Sequence, residues 1–217
     1  MTYRVRPMHQ EDVAQVADID REAFPTLWPP ANYQHELHSA LSRYIVAYDE
    51  DKTTNNPGEL PARPQNGVLA RIRRLLNPNR SLETGLPPSD KQYLVGFTGL
   101  WITADEVHIT NIAVREAYHR RGIGELLIIA TIDLAVKLKA RTITLEVRSS
   151  NTAAQALYRK HGFNQVGLRP GYYRDDKEDA ILMSTEEIGS ASFQSQFQQL
   201  KQAHFKRLGI TSNHVSR

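Results

Sequence analysis

Residues 111–135 read NIAVREAYHRRGIGELLIIATIDLA, and their order decides the fold. A strand runs out into Arg120, Arg121, Gly122, Ile123 and Gly124, and a helix follows at once. The first N–H groups of a helix have no intrahelical acceptor and face whatever sits at its start, so the junction suits an anion. The two glycines let the backbone approach a bulky phosphate with no Cβ in the way, and the arginines add charge-assisted contacts. Taken alone, R-x-G-x-G is a weak sign, because many turns hold two glycines. Neither GxGxxG nor GxxxxGK[ST] accompanies it.

Outward from this stretch, strands and helices alternate. TYRVRP (2–7) reads as a short edge strand stopped by Pro7; Val13, Val16, Ala17, Asp20 and Phe24 recur at helical spacing up to Pro25. A second helix is predicted over Pro30–Leu41 and a strand over Tyr44–Tyr48. From 49 to 92 the composition turns to Pro, Asn, Gly and charge, the mark of a loop or insertion. Within it, VLARIRRLLNPNR (68–80) predicts a short basic amphipathic helix. It either packs its leucines on the domain or binds nucleic acid or anionic lipid, and the first is the commoner fate.

Strand patterns return at 93–102 and 106–114, where Val107, Ile109, Asn111 and Ala113 are expected on one face and His108, Thr110, Ile112 and Val114 on the other. A helix over 122–138, a strand over 142–147, a helix over 152–161 and strands over 163–169 and 180–183 follow. Beyond Ser184, Phe193, Phe197, Leu200, Ala203 and Leu208 mark one side of a helix, which most often docks on its own domain. The reading is therefore an α/β (α+β) domain over 1–184, interrupted at 49–92, with an extension over 185–217 that is helical and then disordered.

Composition narrows the chemistry. The 217 residues suit one domain with a full core. Absence of cysteine excludes disulfides, thiolate metal sites and any thiol-borne acyl intermediate. The N-terminus lacks an apolar signal core and no stretch has the length of a membrane span, so a soluble, cytoplasmic protein is expected. A net charge of +3 fits an anionic partner such as a phosphate-bearing cofactor or an RNA-rich particle. The histidines, His119 and His161 among them, show no metal-ligand spacing, and no metal is expected.

A second segment sharpens the reading. LEVRSSNTAAQALYRKHGF (145–163) places Glu146 on a strand, Asn151 at an N-cap, Tyr158 two turns later and Gly162 past the helix end. NIAV, RRGIG, LEVRSSN, ALYRKHGF and GYYRDDKEDAILM, in that order and spacing, resemble the GNAT N-acetyltransferases, and within them the type that acetylates the N-terminal alanine of a small-subunit ribosomal protein. The resemblance is dense over 93–184 and faint over 1–48. It implies a mixed, mostly antiparallel central sheet flanked by helices and acetyl-CoA as cosubstrate. The acceptor it implies is a protein N-terminus on a ribosomal protein; direct nucleic-acid binding and a metal are not implied.

Position by position, the resemblance implies that backbone groups of Ile112, Ala113 and Val114 pair with the pantetheine arm and that Arg120, Arg121, Gly122, Ile123, Gly124 and Glu125 cradle the pyrophosphate. Asn151 contacts the cofactor near its reactive end, Glu146 is the general base and Tyr158 the general acid. Tyr172 and Tyr173 line the acceptor groove, with Glu178 and Asp179 near it. Apart from the resemblance, a strand glutamate is ordinarily a partner for a basic neighbour, here Arg148, and a helix-end tyrosine is ordinarily core. Glu106 and His108 are the reserve candidates for the base. Two other functions stay open: acetylation of a small amine or lysine, and an acyl-CoA sensor without turnover. The sequence leaves the oligomeric state open.

Overall fold

Period-two alternation builds the sheet, and helices with one apolar face cover it. The computed structural model describes residues 2–24, 32–54 and 91–209. In chain order these form β1 (Tyr3–Pro7), α1 (Val13–Ala23), α2 (Tyr33–Glu36), β2 (Ser42–Thr54), β3 (Lys91–Ile102), β4 (Glu106–Val114), α3 (Ile123–Lys137), β5 (Thr142–Arg148), α4 (Thr152–Lys160), β6 (Phe163–Arg169), β7 (Ala180–Thr185) and α5 (Ala191–Leu208). The described strands make one sheet in the order β1-β2-β3-β4-β5-β7-β6. Every pair is antiparallel except β4 with β5, which α3 joins as a crossover.

Each face of the sheet has its own core. One holds Val107, Ile109, Ile143, Leu145 and Met183 against α3, Tyr158 of α4 and Phe193, Phe197 and Phe205 of α5. The other holds Val46, Leu94, Phe97 and Ala113 against Val16, Ile19 and Tyr33 of α1 and α2. Helix α3 is apolar nearly all round because the sheet lies on one side and α5 on another; Leu127, Ile128 and Ile132 are fully buried.

Four features differ from the sequence reading. The second helix keeps only Tyr33–Glu36: Asn32 caps it through His35 N–H at 3.2 Å, and Ser39 Oγ then accepts Leu41 N–H at 3.2 Å, a local bond that favours a turn. Strand β2 continues to Thr54, where Thr54 faces Lys91, so the ends of the 49–92 segment belong to the sheet; the basic helix expected over 68–80 lies outside the described residues. The stripe on α5 docks on its own domain, but Ala203 is exposed while His204 and Phe205 are buried.

The fourth difference bears on function. Residues 107–113 do not share one alternating face, because Leu100 faces Ile109 while Gly99 faces Asn111, leaving Thr110 as an extra residue. This bulge swaps the faces. Ile112 and Val114 now pack with Val107 and Ile109, whereas Ala113 joins the opposite core. Gly99 makes room for it: a Cβ there would stand 2.2 Å from Asn111 Oδ1 and 2.8 Å from Thr110 Oγ1.

Candidate active site

Past the bulge, β4 and β5 part company. Their parallel ladder runs from Glu106–Thr142 to Ile109–Leu145 and stops, while β4 stays paired with β3 to Val114 and β5 with β7 to Arg148. A wedge opens between them. Arg115 N–H donates to Val95 O at 2.9 Å, so by antiparallel alternation the amides of Ala113 point to β3 and those of Ile112 and Val114 into the wedge. Ile112 and Val114 thus present the groups an extended ligand could pair with, although Val114 O already accepts from His119 Nε2 at 2.8 Å. Ala113, expected to join them, spends its backbone groups on β3.

The mouth of the wedge is the start of α3. The first intrahelical bond is Leu126 N–H to Gly122 O, so the N–H groups of Ile123, Gly124 and Glu125 precede it. Gly122, in the left-handed region at φ 86°, sets the turn into the helix. A Cβ on Gly124 would meet only Leu157 Cδ2 of α4, at 3.6 Å, so Gly124 keeps the space between the two helices open. Of the two arginines, Arg120 is exposed at φ 59°, while the Arg121 guanidinium lies over the Tyr118 ring at 4.9 Å and reaches Tyr3 Oη at 3.4 Å. The Glu125 side chain is buried and held by Lys160 and by Arg207 Nη2 at 2.6 Å. Burial pushes its pKa up, but the hydrogen bonds from Lys160 and Arg207 prevail and hold it at about 2. That leaves only the Glu125 backbone for an anion.

At the apex stands Glu146, the first β5 residue beyond the last pair with β4. Its side chain is 7% exposed, with Oε2 3.1 Å from His108 Nε2 and Oε1 3.0 Å from Arg169 Nη2. The His108 hydrogen bond, followed by the charges of His108 and Arg169, outweighs burial and holds its pKa below the usual carboxylate value. Thr144 links His108 Nδ1, 2.9 Å away, to Glu106 Oε1 at 2.8 Å. With the threonine proton on Glu106, both imidazole nitrogens donate; with it turned to Nδ1, Nε2–H still donates to Glu146. Either arrangement fixes the carboxylate. Arg148, the neighbour suggested by sequence, is engaged elsewhere, with Asp175 at 2.6 Å, Asp176 at 2.8 Å and Glu178 at 3.0 Å.

Tyr158 is buried against Phe163, with ring centroids 5.8 Å apart. Its hydroxyl has no hydrogen-bond partner among the described residues, and burial raises its pKa well above the usual phenol value. Asn151 caps α4 by accepting Ala154 N–H at 3.1 Å, which leaves its amide NH2 for other contacts. Tyr172 and Tyr173 meet edge to face at 5.2 Å; Arg169 lies over Tyr172 and Arg148 over Tyr173. Tyr172 and Trp101 are 39% and 53% exposed, and Trp101 stacks obliquely on His108 at 6.5 Å, so the apex is open to a large acceptor. Glu178 and Asp179, expected near the acceptor, have partners within the protein. Glu178 accepts from Ser150 N–H at 2.6 Å, tying the β6–β7 turn to the start of α4, and Asp179 accepts from Gly171 N–H at 2.8 Å, closing that turn. Arg169 was not anticipated, since its approach to Glu146 crosses β7 and no local pattern encodes it.

A parallel pair that splays at a bulge, with a glycine-rich helix start at the mouth, is where comparison with known proteins becomes decisive. The family model described as Acetyltransferase (GNAT) family matches residues 70–163. "N-alpha-acetyltransferase RimI" of Mycobacterium tuberculosis is 31% identical over 174 residues, 79% of this chain and 85% of that protein. The chain belongs to the GNAT acetyltransferase family. A Bacillus subtilis relative, "Putative [ribosomal protein bS18]-alanine N-acetyltransferase", is 29% identical over 179 residues, 82% of this chain and 92% of that one. The Escherichia coli "[Ribosomal protein bS18]-alanine N-acetyltransferase" is 42% identical over 93 residues, 42% of this chain and 63% of that protein. A crystal structure of the ribosomal-protein-S18-alanine N-acetyltransferase from Escherichia coli superposes with a TM-score of 0.60 at 24% identity, covering 85% of this chain and 94% of that one, and shows the same fold. The protein is thus a GNAT N-acetyltransferase, and the GNAT fold uses acetyl-CoA as its cosubstrate. The unpaired β4 edge suits a pantetheine amide arm, and the α3 start suits a diphosphate. No described helix is long and apolar enough to cross a membrane.

Proposed function

We propose that the protein acetylates the α-amino group of a protein N-terminus, an N-terminal alanine on a ribosomal protein being the acceptor. The names of the relatives support this, and the observation that carries it is the state of Glu146. Its hydrogen bond to His108 and its pairing with Arg169 keep it ionised but make it a weak base. An α-amine with a pKa near 7.7–8.0 is about one-tenth neutral at pH 7, whereas a lysine near 10.4 is neutral in less than about one part in a thousand. A weak base has the lighter task with the first acceptor.

In the proposed reaction the neutral amine attacks the thioester carbonyl, forming the C–N bond, and a backbone N–H of the open β4 edge steadies the oxyanion. Glu146, directly or through a water, takes the proton the amine sheds. As the C–S bond breaks, Tyr158 protonates the departing thiolate, so the products are an acetamide and free CoA. The partnerless Tyr158 hydroxyl suits a donor whose acceptor arrives only with the substrate. Asn151 and the α3 start hold the cofactor, and Tyr172 and Tyr173 wall the acceptor. An acyl-CoA sensor would need neither Glu146 at the apex nor a free Tyr158 hydroxyl.

The test compares three peptides: one with a free N-terminal alanine, the same peptide blocked, and a blocked peptide with internal lysines. The first is expected to react at least about a hundredfold faster than the third at pH 7, following the neutral fractions. Equal rates would falsify the N-terminal assignment and favour a lysine or small-amine enzyme.

The hydrogen bond to His108 gives a second expectation. Because that bond lowers the Glu146 pKa, His108→Ala should let it rise. Below the Glu146 pKa both the amine and the carboxylate must lose a proton, so log kcat/KM against pH steepens there from slope one to slope two. The break should move to higher pH in His108→Ala and lie closer to wild type in His108→Gln, whose amide can still donate. An unmoved break in His108→Ala would assign the proton acceptor elsewhere.

A further inference from the structure

Helix α5 lies outside the matched family region of 70–163, yet it packs against two glycines that frame the cofactor side of the fold. Phe193, near its start, would stand 2.9 Å from a Cβ on Gly162. Near its end, His204 Cε1 would stand 3.0 Å, Arg207 Nη2 3.4 Å and Leu208 Cδ2 3.4 Å from a Cβ on Gly122. Lys201 of α5 pairs with Asp133, late in α3, at 2.6 Å, and Arg207 pairs with Glu125, in the first turn of α3. The two helices therefore run antiparallel, and the end of α5 arrives beside the start of α3, where unpaired N–H groups and the positive end of the helix dipole already favour an anion.

The charge there is unbalanced. Glu125 is one carboxylate facing two full cations, Lys160 and Arg207, with His161 Nε2 at 3.3 Å and His204 Nδ1 at 3.2 Å besides. Both imidazoles are fully buried, and among the described residues His204 Nε2 has no hydrogen-bond partner. Burial lowers both histidine pKa values, that of His204 to about 4, so neither neutralises a further acid on the protein. Lys160 and Arg207 remain 42% and 57% exposed. Among the described residues, Arg207 contacts its partners through Nη2 alone, and a guanidinium carries five N–H donors. A buried polar edge without a partner, a surplus cation and a helix start thus meet at one point.

We propose that Arg207 is a phosphate ligand of the acetyl-CoA site, so that α5 completes the cradle which the loop 120–124 begins. The inference rests on the reading of that loop as the pyrophosphate site. Glu125 holds the guanidinium at the helix start before the cofactor arrives, and the remaining fork of donors reaches a phosphoryl oxygen. His204 and Leu208 fix the end of α5 against Gly122.

Calorimetric titration of the full chain tests this with CoA, 3′-dephospho-CoA and pantetheine. Arg207→Gln should weaken CoA about tenfold or more, the value of one charge-assisted contact, and leave pantetheine unchanged. In turnover it should raise KM for acetyl-CoA and leave kcat as it was. Loss retained with 3′-dephospho-CoA assigns the contact to the diphosphate; loss confined to CoA assigns it to the 3′-phosphate. Lys201→Gln loosens α5 at its Asp133 contact, away from the phosphates, and should lower Tm without altering the preference for CoA over pantetheine. Equal CoA affinity in Arg207→Gln and wild type overturns the inference, as does an equal loss for pantetheine. If Arg207→Gln does not fold, Arg207→Lys replaces it: a severalfold loss confined to the phosphate-bearing ligands is expected, and none overturns the proposal. Failure of wild type to bind CoA would instead sink the acetyl-CoA reading itself.

Discussion

Glu146→Gln is expected to lower kcat/KM for an N-terminal alanine peptide by about 10²–10⁴-fold, the usual scale for removing a general base, while acetyl-CoA binding stays within about twofold. The substitution keeps the shape of a side chain that is 7% exposed, and the glutamine oxygen still accepts from His108 or Arg169. What disappears is the capacity to take a proton at the apex of the wedge. Titration with acetyl-CoA and initial rates on the same preparation separate the two effects. A variant that turns over normally at pH 7 moves the base away from Glu146, and Glu106, tied to the same network through Thr144, becomes the next candidate.

Gly124→Leu is expected to weaken acetyl-CoA binding by about a hundredfold or more, equivalent to losing about 3 kcal/mol, with an unchanged or raised Tm. The two outcomes come from one geometry. Gly124 has ordinary helical φ in the first turn of α3, where leucine is favoured over glycine by about 0.8 kcal/mol. Its Cβ would meet only Leu157 Cδ2, at an unstrained 3.6 Å. The longer side chain then fills the space between α3 and α4 at the mouth of the wedge. Gly122 would be a poor probe of the same question, since φ 86° and His204 3.0 Å from a Cβ make any substitution there a test of folding. Normal acetyl-CoA affinity in a well-folded Gly124→Leu variant would place the cofactor away from this gap.

Elements whose signals are local were legible in the sequence. Strand β4 has the predicted bounds, Glu106–Val114, and Asn151 caps α4 as its position before the helix suggested. The order of strands and helices and the apolar α3 also follow from periodicity. What the sequence hid is whatever depends on pairing. Even so, the alternation through 106–114 does break at the bulge: Thr110 and Asn111 are consecutive polar residues, and the apolar positions shift from 107 and 109 to 112 and 114, a break that reading the strand as one even period passes over. A second trace lies on another strand, in Gly99, which removes the side chain that would collide with the bulge. His108 and Arg169 reach Glu146 from β4 and β6, and Arg207 reaches Glu125 from α5. None of these contacts has a sequence spacing that could announce it. The site residues taken from resemblance lie around the wedge, but the backbone of Ala113 is spent on β3 and the Glu125 side chain is buried against Lys160 and Arg207, neither of which the sequence announces.

The order β5-β7-β6 sets a schedule for making the protein. A chain emerges from the ribosome N-terminus first, so β6 is available before the strand that must stand between it and β5. Until residues 180–185 appear, β5 has a bare edge on the side away from β4, and that edge carries Glu146. β6 meanwhile has no sheet to join. An interrupted chain ending in the turn before β7 would therefore expose an unpaired strand edge, the kind of surface that recruits other strands. The nascent chain depends on its late residues to cover the strand that carries Glu146.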